Sequence, residues 1–411
     1  MKFKKTFLLL LALLFGSVIY ANEKIELFSE PTIVQNYPVN NMLNMDGATY
    51  SYIAINELID SAQKSINIEM FYINNEKKGS KLDKHIIEPL IQKAKDGVKI
   101  RILVDAGMAN VYPNEIKRLN EIKNIEVKKT AYFDQNGILH AKMIIVDEQI
   151  FYVGSHNFDW VTFELNHELG VIYNNKKLAK TLKSVFDFDW ENSELKTAGP
   201  ILPAEKLDNK VVDDYLITLS PADVRDVASD KIQFLKLVNE AKKSIDMQAM
   251  VINGYDIYNH NAKWDDFVTA IENAALRGVK VRLMFSDWEF TDTQTKDANK
   301  FLQELIKSDV KKNIEIRYSS FPLAVPCVPY SEVDHAKYAI FDGKITWITT
   351  ANLTENYFNG CRNYSLTSYS NVKLADKMAE IYNTMWNSKY MSIYDKPVSK
   401  VTDITCSTNE K

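Results

Sequence analysis

Two of the six histidines in this 411-residue chain keep matching company. His140 is followed by Lys142, Asp147, Ser155 and Asn157, and His335 by Lys337, Asp342, Thr350 and Asn352, at identical separations. Face to face, two imidazoles, two ammoniums and two carboxamides are the parts needed to cleave a phosphodiester. One imidazole attacks phosphorus as the neutral base while the other, protonated, hands its proton to the leaving oxygen, and an ordinary pKa of about 6.5 lets histidine do either. Lys142 and Lys337 would neutralise phosphate oxygens, an ammonium about 4 Å from an oxyanion in a partly screened cleft gaining on the order of 4 kcal/mol. Asn157, Asn352, Ser155 and Thr350 are then the neutral donors to phosphate. A lone His-x-Lys before an apolar strand is usually a surface feature, but that reading would have to hold twice at the same offsets.

The elements that position these residues also come in duplicate. Ala62-Gln-Lys-Ser-Ile-Asn-Ile-Glu-Met70 resembles Ala241-Lys-Lys-Ser-Ile-Asp-Met-Gln-Ala249, Gly97-Val-Lys-Ile-Arg101 resembles Gly278-Val-Lys-Val-Arg282, and Trp190 and Trp386 close similar helices. Ile53 to Ala62 has helical spacing, Ile66 to Met70 alternates as a strand, Ile86 to Ala94 is helical again, and Val98 to Val104 reads as a buried strand after Gly97. The second half repeats this order through Ile245, Phe267 to Ala274, and Val279 to Phe285. Strand, helix, strand implies parallel pairing through a right-handed crossover. Each constellation instead sits on a hairpin, 142–146 turning at Asp147 into 150–153 and 338–341 turning at Asp342 into 345–348, which folds Ser155 and Asn157 back beside His140 and their counterparts beside His335. Asp147 and Asp342 therefore belong to turns rather than to the chemistry.

His140-Ala-Lys142-Met-Ile-Ile-Val-Asp147 with Gly154-Ser155-His156-Asn157, and His335-Ala-Lys337-Tyr-Ala-Ile-Phe-Asp342 with Thr349-Thr350-Ala351-Asn352, resemble the phospholipase D superfamily. The resemblance covers nearly the whole chain after about residue 21. It implies an α/β fold of two similar α-β-α sandwich domains with mixed, mostly parallel sheets, related by a pseudo-twofold axis with one shared active site. Asn157-Phe-Asp-Trp160, Glu168-Leu-Gly170 and Val328-Pro-Tyr330 are similar to the branch holding lysosomal single-strand 5′-exonucleases and poxvirus envelope phospholipase-like proteins. Within that resemblance Glu168 stands where the carboxylate behind the nucleophile is expected. The same offset from His335 gives Asn363, or Ser365 with a two-residue insertion, so the second half lacks the carboxylate. This asymmetry assigns His140 as nucleophile and His335 as general acid, then base.

The wider sequence bounds the reading. An apolar share of 46% and a charged share of 25% describe a globular protein, and the length suits two domains. Residues 1–21 have the order of a secretory signal peptide, with an uncleaved anchor as the alternative for the same segment. Two phospholipase D-like domains are expected at 22–198 and 211–395, joined by a linker at 199–210 and followed by a polar tail at 396–411. Loss of Lys2, Lys4 and Lys5 takes the formal charge from −4 to −7, which disfavours long electrostatic tracking along nucleic acid. Export permits a Cys327–Cys361 disulfide. Asn352-Leu-Thr354 and Asn363-Tyr-Ser365 are sequons, and a glycan on Asn352 would bury the proposed site, so a bacterial host with a periplasmic or secreted enzyme fits better. No cofactor or metal is called for, since His156 and His167 lack metal-ligand spacing around His140. His85 and His260 have no partner motif. Tyr132, Phe133, Trp160, Phe321 and Tyr330 could line a base-stacking or lipid groove, although ordinary packing suits most of them better. The substrate is a phospholipid or single-stranded nucleic acid, peripheral membrane contact being compatible with either. A transferase of the cardiolipin synthase kind is disfavoured by the missing membrane-spanning segments. The competing reading is a catalytically silent envelope or membrane-associated relative, against which the intact His and Lys of both halves argue.

Overall fold

The computed structural model describes residues 28–39, 41, 43, 49–131, 137–194, 211–255, 262–290, 295–307, 311–323, 328 and 330–399. The expected leader at 1–21, the expected linker at 199–210, Tyr132, Phe133, His260, the chain after 399 and Cys327, one member of the expected disulfide, lie outside them.

Eight strands of the first half form one sheet: β1 (Thr32–Asn36), β2 (Thr49–Tyr50), β3 (Ser65–Met70), β5 (Lys99–Asp105), β6 (Ile125–Thr130), β7 (Lys142–Val146), β8 (Ile150–Gly154) and β10 (Glu168–Asn174). Two short strands, β4 (Ile73–Asn74) and β9 (Phe158–Asp159), pair separately. The second half supplies β11 (Tyr215–Ser220), β12 (Ala228–Ser229), β13 (Ser244–Gln248), β14 (Lys280–Ser286), β15 (Ile314–Ser319), β16 (Tyr338–Phe341), β17 (Ile345–Thr349), β18 (Asn363–Ser368) and β19 (Met391–Ile393). The orders are β2-β1-β10-β8-β7-β3-β5-β6 and β12-β11-β18-β17-β16-β13-β14-β15-β19, the same path with one extra edge strand.

Both sheets are mixed, but parallel pairing does not dominate them. The β3-β5-β6 and β13-β14-β15 crossovers are parallel, as are the short outer pairs β1-β2 and β11-β12. The hairpins, the strands beside them, the β1-β10 and β11-β18 pairs and the β15-β19 edge are antiparallel and outnumber these. The expectation of mostly parallel sheets gave too little weight to the hairpins that carry the histidines. Gly97 and Gly278 end the helices before β5 and β14 at φ +97° and +92°, a left-handed conformation that costs glycine least.

Each sheet has helices on both faces. The outer core of the first half packs Ser51–Ser61 and Glu88–Lys95 on β3, β5 and the outward face of β7. Asp265–Leu276 and Asp230–Glu240 do this in the second half. Between the sheets, one continuous core joins the inward residues Met143, Ile145, Phe151 and Val153 with Tyr338, Ile340, Ile348 and Leu366, and with the helices Lys176–Glu191 and Val372–Trp386. The duplication extends to packing, since the Arg101 and Arg282 guanidiniums each lie 5.2 Å from the Trp190 and Trp386 rings respectively. Among the described residues no helix is long and apolar enough to cross a membrane.

Candidate active site

The two halves meet at the ends of the hairpins remote from their turns. The chain just before His140 runs parallel to the start of β18, with His140 N–H donating to the Arg362 carbonyl at 3.0 Å and Arg362 N–H to the Ile138 carbonyl at 2.9 Å. Reciprocally, the chain before His335 runs parallel to the start of β10, with His335 N–H donating to the His167 carbonyl at 2.9 Å. Each histidine is therefore set against the strand of the opposite half. Asp105 at the end of β5 adds a further hold, its carboxylate accepting from the N–H of Leu139 at 3.1 Å.

The turn aspartates do structural work at the far end. Asp147 accepts the N–H groups of Gln63, Lys64 and Ser65, and Asp342 those of Lys242, Lys243 and Ser244, each clasping the entry to the neighbouring strand.

The reciprocal arrangement corrects the placement of Glu168. Its carboxylate does not stand behind His140: both oxygens lie 2.9 Å from His335 Nδ1. His140 Nδ1 instead meets the Asn363 Oδ1 at 3.1 Å. Because β10 and β18 each feed the opposite histidine, counting forward from a histidine within its own half finds the right residue type and the wrong partner. The assignment of His140 as nucleophile rested on that count and falls with it. Asn363 is the counterpart of Glu168, and Ser365 lies two residues further along β18, bonded to Asp230 and Thr349.

Ser155 and Thr350 also differ from expectation. The Ser155 hydroxyl donates to Glu168 and its oxygen accepts the Leu169 N–H, while Thr350 donates to Asn363 at 3.0 Å and accepts the Tyr364 N–H. Both are wholly buried behind the histidines, so they orient the residues that hold the imidazoles and are not phosphate donors. Gly154 and Gly170 let this layer close, because a Cβ on either would collide with the Tyr152 ring.

In front of the histidines lies a cavity of about 450 Å³. His140, His335, Asn157 and Asn352 share its wall with Phe71, Tyr72, Tyr112, Trp160, Trp288, Tyr330 and Tyr357. Asn157 Oδ1, Asn352 Oδ1 and Thr354 Oγ1 are buried there without a hydrogen-bond partner among the described residues. Of the aromatic residues singled out in the sequence, Trp160 and Tyr330 line this cavity and Phe321 packs in the core. Tyr72, Tyr112, Trp288 and Tyr357 carry no signal in the sequence, because no periodicity distinguishes a cavity-facing ring from a core ring. Lys142 and Lys337 are fully buried, each donating from Nζ to the carbonyl of its own histidine.

Burial sets the electrostatics. Desolvation, then the two lysines, holds both imidazoles well below 6.5. Desolvation also drives Lys142 well below its ordinary value and Lys337 down to about 7, with Glu168 opposing both. Glu168 is pushed up by burial against the pull of His156 and the lysines. Burial thus disfavours the charged forms of the imidazoles and ammoniums in the pocket, and an anionic phosphate placed there would favour them. His156 is buried, bonded to Tyr152 and Asn36, and His167 is buried against Asp334. Among the described residues no group of three or more His, Cys, Asp or Glu is arranged to hold a metal ion.

A fold with two mixed sheets, duplicated hairpins and two histidines on one cavity defines a class. The family model described as "Cardiolipin synthase, PLD-like domain" matches residues 55–190 and 234–386, and the chain belongs to this phospholipase D-like family, whose function is of the phosphodiesterase type. It is 27% identical over 371 residues to the virion nicking-joining enzyme of Vaccinia virus (strain Western Reserve), covering 84% of this chain and 85% of that one. Phospholipase D Z of Dictyostelium discoideum is 26% identical over 378 residues, covering 85% and 87%. The 5'-3' exonuclease PLD3 of Xenopus laevis is 25% identical over 370 residues, covering 81% and 74%. In fold the chain is similar to a phosphatidylserine synthase of Haemophilus influenzae, with a TM-score of 0.61 at 10% identity over 84% of this chain and 85% of that one.

Proposed function

We propose that this protein is an exported hydrolase that cleaves the phosphodiester bonds of single-stranded nucleic acid through a covalent phosphohistidine on His335. The observation that carries the chemistry is the Glu168 carboxylate 2.9 Å from His335 Nδ1. Holding the proton on Nδ1 leaves the Nε2 lone pair for phosphorus, and the carboxylate stabilises the positive charge that develops on the ring as the N–P bond forms. As that bond forms the P–O bond to the leaving group breaks, and His140, whose Nδ1 is held by a neutral amide, gives its Nε2 proton to the departing oxygen. Water then attacks the phosphohistidine, surrenders a proton to His140, and the N–P bond breaks. Asn157 and Asn352 border the phosphate, and the buried Lys142 and Lys337 supply positive field from beneath.

The substrate reading is supported by the wall of the cavity. Rings of Tyr72, Tyr112, Trp160, Trp288, Tyr330 and Tyr357 offer stacking faces to bases, and stacking tolerates any sequence. One of the relatives named above is named as a 5'-3' exonuclease and another as a nicking-joining enzyme, and the order of residues 1–21 supports export. The test is to incubate the full mature chain, in chelator, with a labelled single-stranded oligonucleotide and with phosphatidylcholine vesicles in parallel. Release of nucleotides without choline is expected. Choline release without nucleotide would replace this substrate by a lipid, and turnover of neither at acid or neutral pH would favour a silent protein.

A further inference from the structure

Directly behind the His335–Glu168 contact lies a second buried pair that the chemistry above does not use. His167 Nδ1 donates to Asp334 Oδ1 at 2.7 Å, with both side chains inaccessible to solvent. His167 precedes Glu168 and Asp334 precedes His335. The two segments form the parallel bridge between the halves, with His167 N–H on the Val333 carbonyl at 3.0 Å and His335 N–H on the His167 carbonyl at 2.9 Å. In extended chains neighbouring side chains point to opposite faces. One face therefore presents Glu168 to His335 while the other presents His167 to Asp334.

We infer that His167 and Asp334 are a positioning pair that fixes the register of this bridge and thereby sets the Glu168 carboxylate on His335 Nδ1, a role that rests on the reading of His335 as the reacting imidazole. A slip of one residue between the segments would remove Glu168 from the ring, and the His167–Asp334 bond forbids that slip because its members would part as well. The surroundings restrain the pair further. Gln248 at the end of β13 donates to the same Asp334 oxygen, and the Tyr37 ring stacks on His167 at 4.3 Å and 18°.

Stability does not explain the pair. His167 Nε2, Asp334 Oδ2 and Gln248 Oε1 are buried without hydrogen-bond partners among the described residues, and each such atom weakens the fold. Nor does the duplication require it. The equivalent positions on the other side of the site are Arg362 and Leu139, and there the Arg362 guanidinium turns away to Asp189 and Asp223. The pair occurs on the side where a carboxylate must be aimed at an imidazole.

The test uses two variants of the full chain. His167→Phe keeps a ring for Tyr37 and loses the donor, whereas His167→Asn places an amide N–H where the imidazole N–H stood. Activity is read on an activated nucleotide p-nitrophenyl diester, and the tautomer of His335 by nitrogen-15 histidine NMR. His167→Phe should lower kcat about 10- to 100-fold at nearly constant KM and leave His335 in mixed tautomers, while His167→Asn recovers most of kcat and the single tautomer. Both variants losing activity only in proportion to lost thermal stability, with His335 still in one tautomer, would overturn the role. A changed tautomer together with phosphate trapped elsewhere than His335 would uphold the positioning and overturn the assignment of the nucleophile.

Discussion

The two imidazoles differ in what stands behind them, and this difference governs how the site responds to pH. A neutral His335 and a protonated His140 are required together. Burial and the neighbouring lysines hold both groups well below 6.5. A lowered pKa means the proton leaves early as pH rises, so the free enzyme loses its protonated His140 before neutrality. The bell of kcat/KM against pH should therefore peak below 6.5. Bound phosphate brings a negative charge that favours both imidazolium forms, so the kcat profile should lie at higher pH than that of kcat/KM. Steady-state profiles on a nucleotide diester check both, and a kcat/KM optimum above 7 would contradict the burial of the pair. The residue types at the site were legible in the sequence, because a duplicated motif leaves little room for accident. Their partners were not, since Glu168 and Asn363 are each delivered to the histidine of the other half.

At the scale of elements, the strands that deliver these partners are anchored by buried charge. Arg362, one residue before Asn363, is wholly buried and bonds through Nε and Nη2 to Asp189 on the first half's helix Lys176–Glu191, and through Nη2 to Asp223 of the second half at 2.8 Å. Burial raises Asp189 to about 6 even with the guanidinium beside it. Arg362→Ala leaves two buried carboxylates without their cation and should cost about 3–5 kcal/mol of stability, read as a fall in denaturation midpoint at unchanged m-value. A loss under about 1 kcal/mol would mean the clamp is not holding the halves together. Lys142–Val146, Ile150–Gly154 and the helices before Gly97 and Gly278 could be read from hydrophobic period and turn residues. The sheet order could not, because which edge of a sheet a strand joins depends on contacts far apart in sequence. Arg362 gave no signal for the same reason.

For the whole molecule, the duplication makes one site from two half-sites, and its charge distribution is unusual for a protein read as acting on nucleic acid. The formal charge is −4, and the described cavity wall carries His but no Lys or Arg, its cations being the two buried ammoniums. Two ammoniums acting on a single strand give a log–log salt slope of about −1.4 for kcat/KM, and a slope several-fold steeper would require a cationic track along the surface. The most direct measurement is acid-quench trapping with a phosphorus-labelled diester, followed by peptide mapping. With a p-nitrophenolate leaving group, which departs without a proton, wild-type protein should carry label on His335, His140→Ala should accumulate it because hydrolysis of the intermediate lacks its base, and His335→Ala should carry none. Label on His140, or turnover without any labelled histidine, would contradict attack by the imidazole that Glu168 holds.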